Sequence, residues 1–297
     1  MNDITVLIPA YNSERTLAET LESLIMQNFK DFNVLIVDDG SSDQTIAVAK
    51  KFISQLNLEI FSLSKNSGIS RALNHGLSHI QSKYIARLDA DDLAMPTRLK
   101  EQFDYLESHP NIDVCSSWME LFLDNSSTQT ETLSKPEHDA AIKTSLIQYT
   151  SMTHGASMFR KSFFDDVGVF DSRLDFAEDY DLWCRGALLG KCYTNLQENL
   201  SRYRQHNQQI SHQKRQLQYE RDLQIKRKYI SALLGGESSG YLAEFFSTAA
   251  VFTSKEVAVS VIHQSMPLIL KLGHKVHDEQ IYATIVSGCM ARHLRYK

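Results

Sequence analysis

The chain has 297 residues, 42% of them hydrophobic and 23% charged, with a mean hydropathy of -0.30, the profile of a soluble globular protein rather than a disordered one. A formal net charge of -5 argues against general nucleic-acid binding, which relies on a basic surface to neutralise phosphates. The apolar runs, residues 34–37 among them, are too short to span a bilayer and the Met1-Asn2-Asp3 start carries no basic n-region, so a cytoplasmic protein is expected.

Taken in chain order, the first hundred residues alternate between two hydrophobic periods. Strand-like runs cover 4–9, 33–37, 58–63 and 84–88, and helical periodicity covers 16–27, 43–55 and 69–80. This βαβαβαβ order predicts an α/β fold: a Rossmann-like, mostly parallel sheet with helices on both faces, whose ligands bind beyond the carboxyl ends of the strands. Polar and acidic residues collect at three of those ends: Pro9-Ala10-Tyr11-Asn12, Asp38-Asp39-Gly40-Ser41-Ser42-Asp43 and Asp89-Ala90-Asp91-Asp92. No GxGxxG follows the first strand and no GxxxxGK[ST] occurs, which argues against dinucleotide and P-loop sites.

From about 110 to 200 the pattern changes to short strands and loops, with apolar runs at 112–118 and 157–159 and a polar stretch at 124–136 that reads as a mobile loop. From 207 the chain is mainly helical and opens on basic residues, Lys214, Arg215, Arg221, Lys226, Arg227 and Lys228. The four cysteines, Cys115, Cys184, Cys192 and Cys289, form no CxxC pair, so neither a zinc site nor a disulfide framework is expected.

Three carboxylates in four positions at a strand end call for a cation. Alternate strand residues point the same way, so Asp89 and Asp91 can face one ion, and oxygen-only ligands favour Mg2+ or Mn2+ sharing its shell with a phosphate. The same residues could also cap the helix that Pro96 opens.

Together, Val6-Leu7-Ile8-Pro9-Ala10-Tyr11-Asn12, Val37-Asp38-Asp39-Gly40-Ser41-Ser42-Asp43, Arg87-Leu88-Asp89-Ala90-Asp91-Asp92 with Pro96 and Arg98-Leu99, and Glu178-Asp179-Tyr180-Asp181-Leu182-Trp183 resemble the family-2 inverting glycosyltransferases of bacteria. The resemblance covers about residues 1–206. It implies the GT-A fold, a sugar-nucleotide donor, Mn2+ or Mg2+, and inversion at the anomeric carbon. It divides the chain into a catalytic domain, 1–206, with a nucleotide-binding half at 1–100 and an acceptor half at 101–206, and a helical C-terminal region at 207–297.

By the same resemblance Pro9, Ala10 and Tyr11 line the nucleotide pocket, Asp39 accepts a hydrogen bond from the base and Arg71 lies near it. A carboxylate suits the uracil N–H and an aromatic face suits the ring; with Asp39 and Arg71, uridine diphosphate is the expected leaving group, a guanosine or deoxythymidine donor being the alternative. Asp91 is the expected metal ligand, with Asp89 nearer the ribose or sugar and Asp92 in support. The general base falls in the Glu178-Asp179 pair, Asp179 being the choice and Glu178 the alternative. His154-Gly155 falls in an acceptor-side segment. In Tyr203-Arg204-Gln205-His206, Arg204 is placed to meet phosphate and His206 to meet diphosphate or complete the metal shell.

The implied partners are a nucleotide-sugar donor and an oligosaccharide or lipid-linked acceptor, in capsule, lipopolysaccharide or other surface-glycan synthesis. The basic start of the tail offers a peripheral membrane contact, and the C-terminal helices offer a surface for a second copy. A catalytically silent sugar-nucleotide-binding subunit would lack a working base. A sugar nucleotidyltransferase would carry a glycine-rich, arginine-containing loop after the first strand, which Pro9-Ala10-Tyr11-Asn12 is not.

Overall fold

The computed structural model describes residues 2–123, 131–205, 214–236, 240–247 and 255–293. Its first half is built from strands β1 (Ile4–Ala10), β2 (Phe32–Asp38), β3 (Leu58–Ser62) and β4 (Tyr84–Arg87), and helices α1 (Leu17–Ile25), α2 (Thr45–Lys50) and α3 (Ile69–His79). The strands pair in parallel in the order β3-β2-β1-β4. β1 is buried along its whole length, as a strand covered on both faces must be. Its side chains alternate: Ile4, Val6 and Ile8 join Leu17, Leu21 and Leu24 of α1 on one face, while Leu7 joins Ala72 and Leu73 of α3 on the other. The helix expected over 43–55 is regular only over α2, and tight turns such as Phe52 N–H to Ala49 O (3.1 Å) follow it.

The second half adds β5 (Leu93–Ala94), α4 (Arg98–Ser108), β6 (Val114–Leu123), β7 (Thr132–Leu133), α5 (Asp139–Ser145), β8 (Met158–Arg160), α6 (Lys161–Val167), α7 (Glu178–Leu188) and β9 (Tyr193–Gln205). β8 runs antiparallel between β4 and β6, β6 and β9 are parallel, and β9 meets β5 antiparallel. The sheet therefore continues from the first half into the second without a break. Two register shifts, on either side of Trp118, give β9 extra residues relative to β6. Bulges of this kind bend a strand and re-aim its side chains. Here the bend carries Ser201 and Arg202 onto β5, directly after the acidic motif.

The tail forms α8 (Arg215–Leu233), α9 (Gly240–Phe246), α10 (Lys255–Gly273) and α11 (Glu279–His293). Among the described residues no helix is long and apolar enough to cross a membrane. These helices pack into the same hydrophobic cluster as α7: Ile225, Tyr229 and Ile230 join Tyr180 and Trp183. Polar ties add to the packing, with Tyr229 Oη donating to Lys143 O (3.1 Å) and the His277 and Asp278 N–H groups donating to Thr144 Oγ1 (3.2 and 3.0 Å).

The basic residues at the start of the tail do not all face solvent. Lys226 is buried in an ion pair with Asp222 and sits 5.8 Å from the Tyr180 ring centroid, Arg227 pairs with Glu244 (3.1 Å), and the Arg221 guanidinium lies 5.4 Å from the Phe176 ring centroid. Three of the six cations are thus engaged within the protein. Lys226→Met should destabilise the fold, because Asp222 loses its partner in a mostly buried setting. Asp222 retains 24% exposure, so the expected loss is about 2–3 kcal/mol, below the figure for a fully buried pair. Denaturant unfolding of Lys226→Met against the double variant with Asp222→Leu, which should recover most of the loss, checks this.

Candidate active site

On the nucleotide side, the loops after β1 and β2 are knitted together. Asn12 Oδ1 accepts the Ser42 N–H (2.9 Å), Ser13 N–H donates to Thr45 Oγ1 (2.7 Å), Glu14 N–H donates to Asp43 Oδ2 (3.0 Å) and Gln44 N–H donates to Glu14 Oε2 (2.9 Å). Pro9 and Ala10 are buried beneath this lattice, and the Ala10 carbonyl accepts the Asp39 N–H (2.8 Å). Tyr11 is 48% exposed, so its ring is open to a planar partner. Asp39 is buried, and its two oxygens accept the Ser67 and Gly68 N–H groups (2.8 and 2.9 Å). Burial raises its pKa against the pull of those N–H groups. Its remaining lone pairs can accept a base N–H. Gly40, at φ +71°, lets the loop after β2 pack on the backbone at 65–66, since a Cβ there would lie 2.5 Å from the Lys65 carbonyl carbon. Arg71 is exposed on the first turn of α3, with Nη1 donating to Ser67 O (3.2 Å).

Beyond β4 the charge is dense. Arg87 is buried; its Nη2 donates to Asp89 Oδ1 (2.6 Å), and its Nε and Nη1 have no partner among the described residues. Asp92 is 1% exposed: Oδ1 accepts the Arg204 N–H (2.9 Å) and Oδ2 is buried without a partner among the described residues. Burial, Asp89 and Asp91 push its carboxyl well above the usual range. Arg204 braces the motif rather than standing open: Nε donates to Asp91 O (2.8 Å), Nη2 pairs with Glu19 (2.7 Å), and the guanidinium lies 4.6 Å from the Phe122 ring centroid. Gly155 presses on the cluster, a Cβ there falling 2.7 Å from Asp89 Oδ2 and 3.3 Å from Asp92 Oδ2.

This donor set fits a hard divalent cation: Asp89 and Asp91 lie close enough to Asp92 to add to its raised pKa, and Asp92 Oδ2 has no partner among the described residues. Among the described residues no three His, Cys, Asp or Glu side chains form a ready-made cage. Mg2+ and similar ions take one or two carboxylates and fill the shell with phosphate oxygens and water.

The start of α7 lies near the acidic motif. Glu178 and Asp179 occupy its first turn, where the unsatisfied N–H groups of the helix favour negative charge. Glu178 is 6% exposed, with Oε2 buried and unpartnered among the described residues; burial, with Asp179 beside it, pushes its pKa up to about 8. Asp179 is half-buried and accepts the Tyr180 N–H (2.8 Å). Burial raises its pKa, Arg87 opposes this and Asp89 adds to it, which places Asp179 near the acidic motif. His154 is enclosed by Phe159, Phe170 and Trp183, its Nε2 has no partner among the described residues, and burial with the Arg87 charge lowers its pKa well below the usual range.

One cation escaped sequence reading. Lys135 lies in the stretch read as a mobile loop, yet its carbonyl accepts Trp118 Nε1–H (3.0 Å) and Gln197 Nε2–H (3.2 Å), and the Pro136 carbonyl accepts Asn195 Nδ2–H (2.6 Å). Burial lowers the pKa of its amino group, and the Asp179 carboxylate raises it. Asp175 and Glu19 were also missed, because isolated acidic residues carry no signal until the fold gives them neighbours. His206 lies outside the described residues.

The parallel αβ half thus sets hydrogen-bonded loops beyond β1 and β2 beside an acidic motif after β4, with a carboxylate pair at the start of α7 nearby. The chain belongs to glycosyl transferase family 2, whose model matches residues 5–168. It is 34% identical over 207 residues to the putative glycosyltransferase EpsE of Bacillus subtilis (strain 168), covering 68% of this chain and 73% of that one. It is 32% identical to the amylovoran biosynthesis glycosyltransferase AmsE of Erwinia amylovora, covering 67% and 75%. Its fold, with a TM-score of 0.66 at 18% identity, is that of S. aureus TarS 1–349 in complex with UDP-GlcNAc, over 97% of this chain and 92% of that one. The mannosyltransferase PcManGT of Pyrobaculum calidifontis, in complex with GDP-Man and Mn2+, superposes with a TM-score of 0.58 at 17% identity over 97% and 75%. The architecture is thus GT-A with a helical C-terminal region, and the protein is a glycosyltransferase.

The raised pKa of Glu178 has a measurable consequence. Between its ordinary value of 4.5 and its folded value of about 8 the folded chain holds more protons than the unfolded one, so this group's contribution to stability is full below about pH 4.5 and is lost as pH rises to about 8. Glu178→Gln does not titrate, so its Tm should fall less than that of the wild type across that window. Parallel Tm-against-pH curves would contradict the assignment.

Proposed function

We propose that the chain is an inverting glycosyltransferase that moves a sugar from a UDP-sugar to a hydroxyl of a glycan or lipid-linked acceptor in surface-polysaccharide synthesis. The observation that carries this reading is the placement of Asp179: it is half-buried at the start of α7, burial raises its pKa, and the Arg87-braced acidic motif acts on it, Arg87 lowering and Asp89 raising it. Glu178 is buried and holds its proton at neutral pH, so Asp179 is the better base. The amylovoran role in the name of AmsE and the UDP-GlcNAc held by TarS support the pathway class and the donor.

In this mechanism Asp39 accepts the N–H of the base while Tyr11 offers its ring to the base face, and Asp179 removes the proton of the acceptor hydroxyl as its oxygen attacks the anomeric carbon from the side opposite the nucleotide. Asp91, with Asp89 and Asp92 behind it, would hold a divalent cation, which when bound neutralises the departing diphosphate. Lys135 balances the negative charge around Asp179.

Nucleotide release from a panel of donors with Mn2+, with and without oligosaccharide and lipid-linked acceptors, tests the reading. Asp179→Asn should bind UDP normally and lose roughly a hundredfold or more in kcat, because the amide keeps the shape and cannot take the proton. Near-normal turnover in that variant beside an inactive Glu178→Gln would move the base to Glu178. Asp91→Ala should abolish the Mn2+-dependent part of UDP affinity in calorimetry, and unchanged affinity would remove Asp91 from the metal site.

A further inference from the structure

A short strap, residues 170–177, runs from the nucleotide side to the first turn of α7, and its polar groups have no part in the mechanism above. It is tied to α3 at two points. Asn74 exchanges two hydrogen bonds with the Phe170 backbone, donating to its carbonyl (2.8 Å) and accepting its N–H (2.9 Å). Asp175 Oδ1 accepts the Ser70 N–H (3.2 Å), and its Oδ2 packs so tightly on Gly68 that a Cβ there would lie 2.0 Å away. Gly68 sits at φ +96°, and its own N–H goes to Asp39. Two carboxylates therefore grip one turn from opposite sides: Asp39 binds the N–H groups of residues 67 and 68, and Asp175 binds that of residue 70.

The residue after Asp175 is strained. Phe176 has φ +79°, a left-handed conformation that a bulky side chain adopts at an energetic cost and keeps only where its surroundings compel it. Here α8 does so: Gln218 Nε2 donates to the Phe176 carbonyl (3.1 Å), and Arg221 covers the ring. Two residues further on stands Glu178, and after it Asp179.

We infer that Asp175 is a positioning residue that couples occupancy of the nucleotide pocket to the placement of Asp179, with α8 as the fixed anchor on the other side of the strap. The inference rests on the assignment of Asp39 to the nucleotide and Asp179 to proton removal. A nucleotide that engages Asp39 steadies the turn at 67–70; Asp175 passes that constraint to the strap, and the forced conformation of Phe176 leaves the start of α7 little freedom to drift. Placement matters here because a misplacement of about 1 Å can cost on the order of a hundredfold in rate. The tail is then part of the catalytic apparatus rather than an appendage.

The test uses the full chain and compares Asp175→Ala, Asp175→Asn and Gln218→Ala by UDP calorimetry, by kcat and donor KM from UDP release, and by Tm. Asp175→Ala should lower kcat by about tenfold or more and weaken UDP binding, while Asp175→Asn, which keeps an oxygen for the Ser70 N–H, should restore kcat to within about threefold of wild type. Gln218→Ala is far from the nucleotide and should lower kcat with UDP affinity unchanged, which keeps the test open should Asp175→Ala fail to fold. A kcat within about twofold of wild type in both Asp175→Ala and Gln218→Ala, or equal losses in the Ala and Asn variants, overturns the inference. If the wild type releases nucleotide from no donor, the transfer reading fails on its own. Coupling is then read from binding alone: Asp39→Asn and Asp175→Ala should affect UDP affinity non-additively, and additive losses overturn it.

Discussion

The end of β4 has to carry buried charge, and much of the molecule is arranged to make that tolerable. Arg87, Asp92 and Arg98 are each 3% exposed or less. An ion taken out of water costs several kcal/mol unless its partners are well placed. The chain meets this with backbone and neutral groups as much as with counter-charges. Arg98 donates to the Arg87 carbonyl (2.5 Å) and to Gln102 (3.1 Å), and its pKa is lowered to about 10 by burial; the Arg204 N–H serves Asp92. What stays unmet among the described residues, at Arg87 Nε and Nη1 and Asp92 Oδ2, is what a bound nucleotide and its cation could meet.

From that constraint the second half of the sheet takes its form. Serving Asp92 with the Arg204 backbone requires β9 to reach β5, and the two register shifts around Trp118 let it do so while still pairing with β6. Gly155 must lack a side chain because it lies against two of the carboxylates. On the far wall, Trp183 stacks on Phe159 with centroids 5.4 Å apart and fixes α7 against β8, so the carboxylates at the helix start are aimed from a rigid base. Rigid support of this kind is what places reacting groups to within a fraction of an ångström.

Much of this was legible in the residues. The alternation of period 2 and period 3.6 over residues 4–88 located four strands and three helices to within a few positions, because a sheet buried on both faces leaves little freedom in composition. The acidic motif and the Glu178-Asp179 pair were legible because dense charge at an element's end is unusual without a ligand or a cap. The rest is tertiary. Lys226 reads as part of a solvated basic run, and only packing shows that Asp222, four residues earlier, takes it into the core beside Tyr180. Lys135 sits in a polar stretch with no periodicity, and its position depends on hydrogen bonds to Trp118 and Gln197. The ties of the Arg204 guanidinium to Glu19 and the Asp91 carbonyl join partners far apart along the chain, which no local pattern announces.

The central claim is that the charge at the end of β4 is completed by a divalent cation together with a nucleotide diphosphate. Electron paramagnetic resonance of free Mn2+ tests it directly, with the wild-type protein titrated in the presence and absence of UDP. The account predicts that the free-ion signal falls by one equivalent per chain when UDP is present and far less when it is absent, because the protein supplies only part of the coordination shell. A signal unchanged by protein plus UDP, beyond what UDP alone produces, would contradict it.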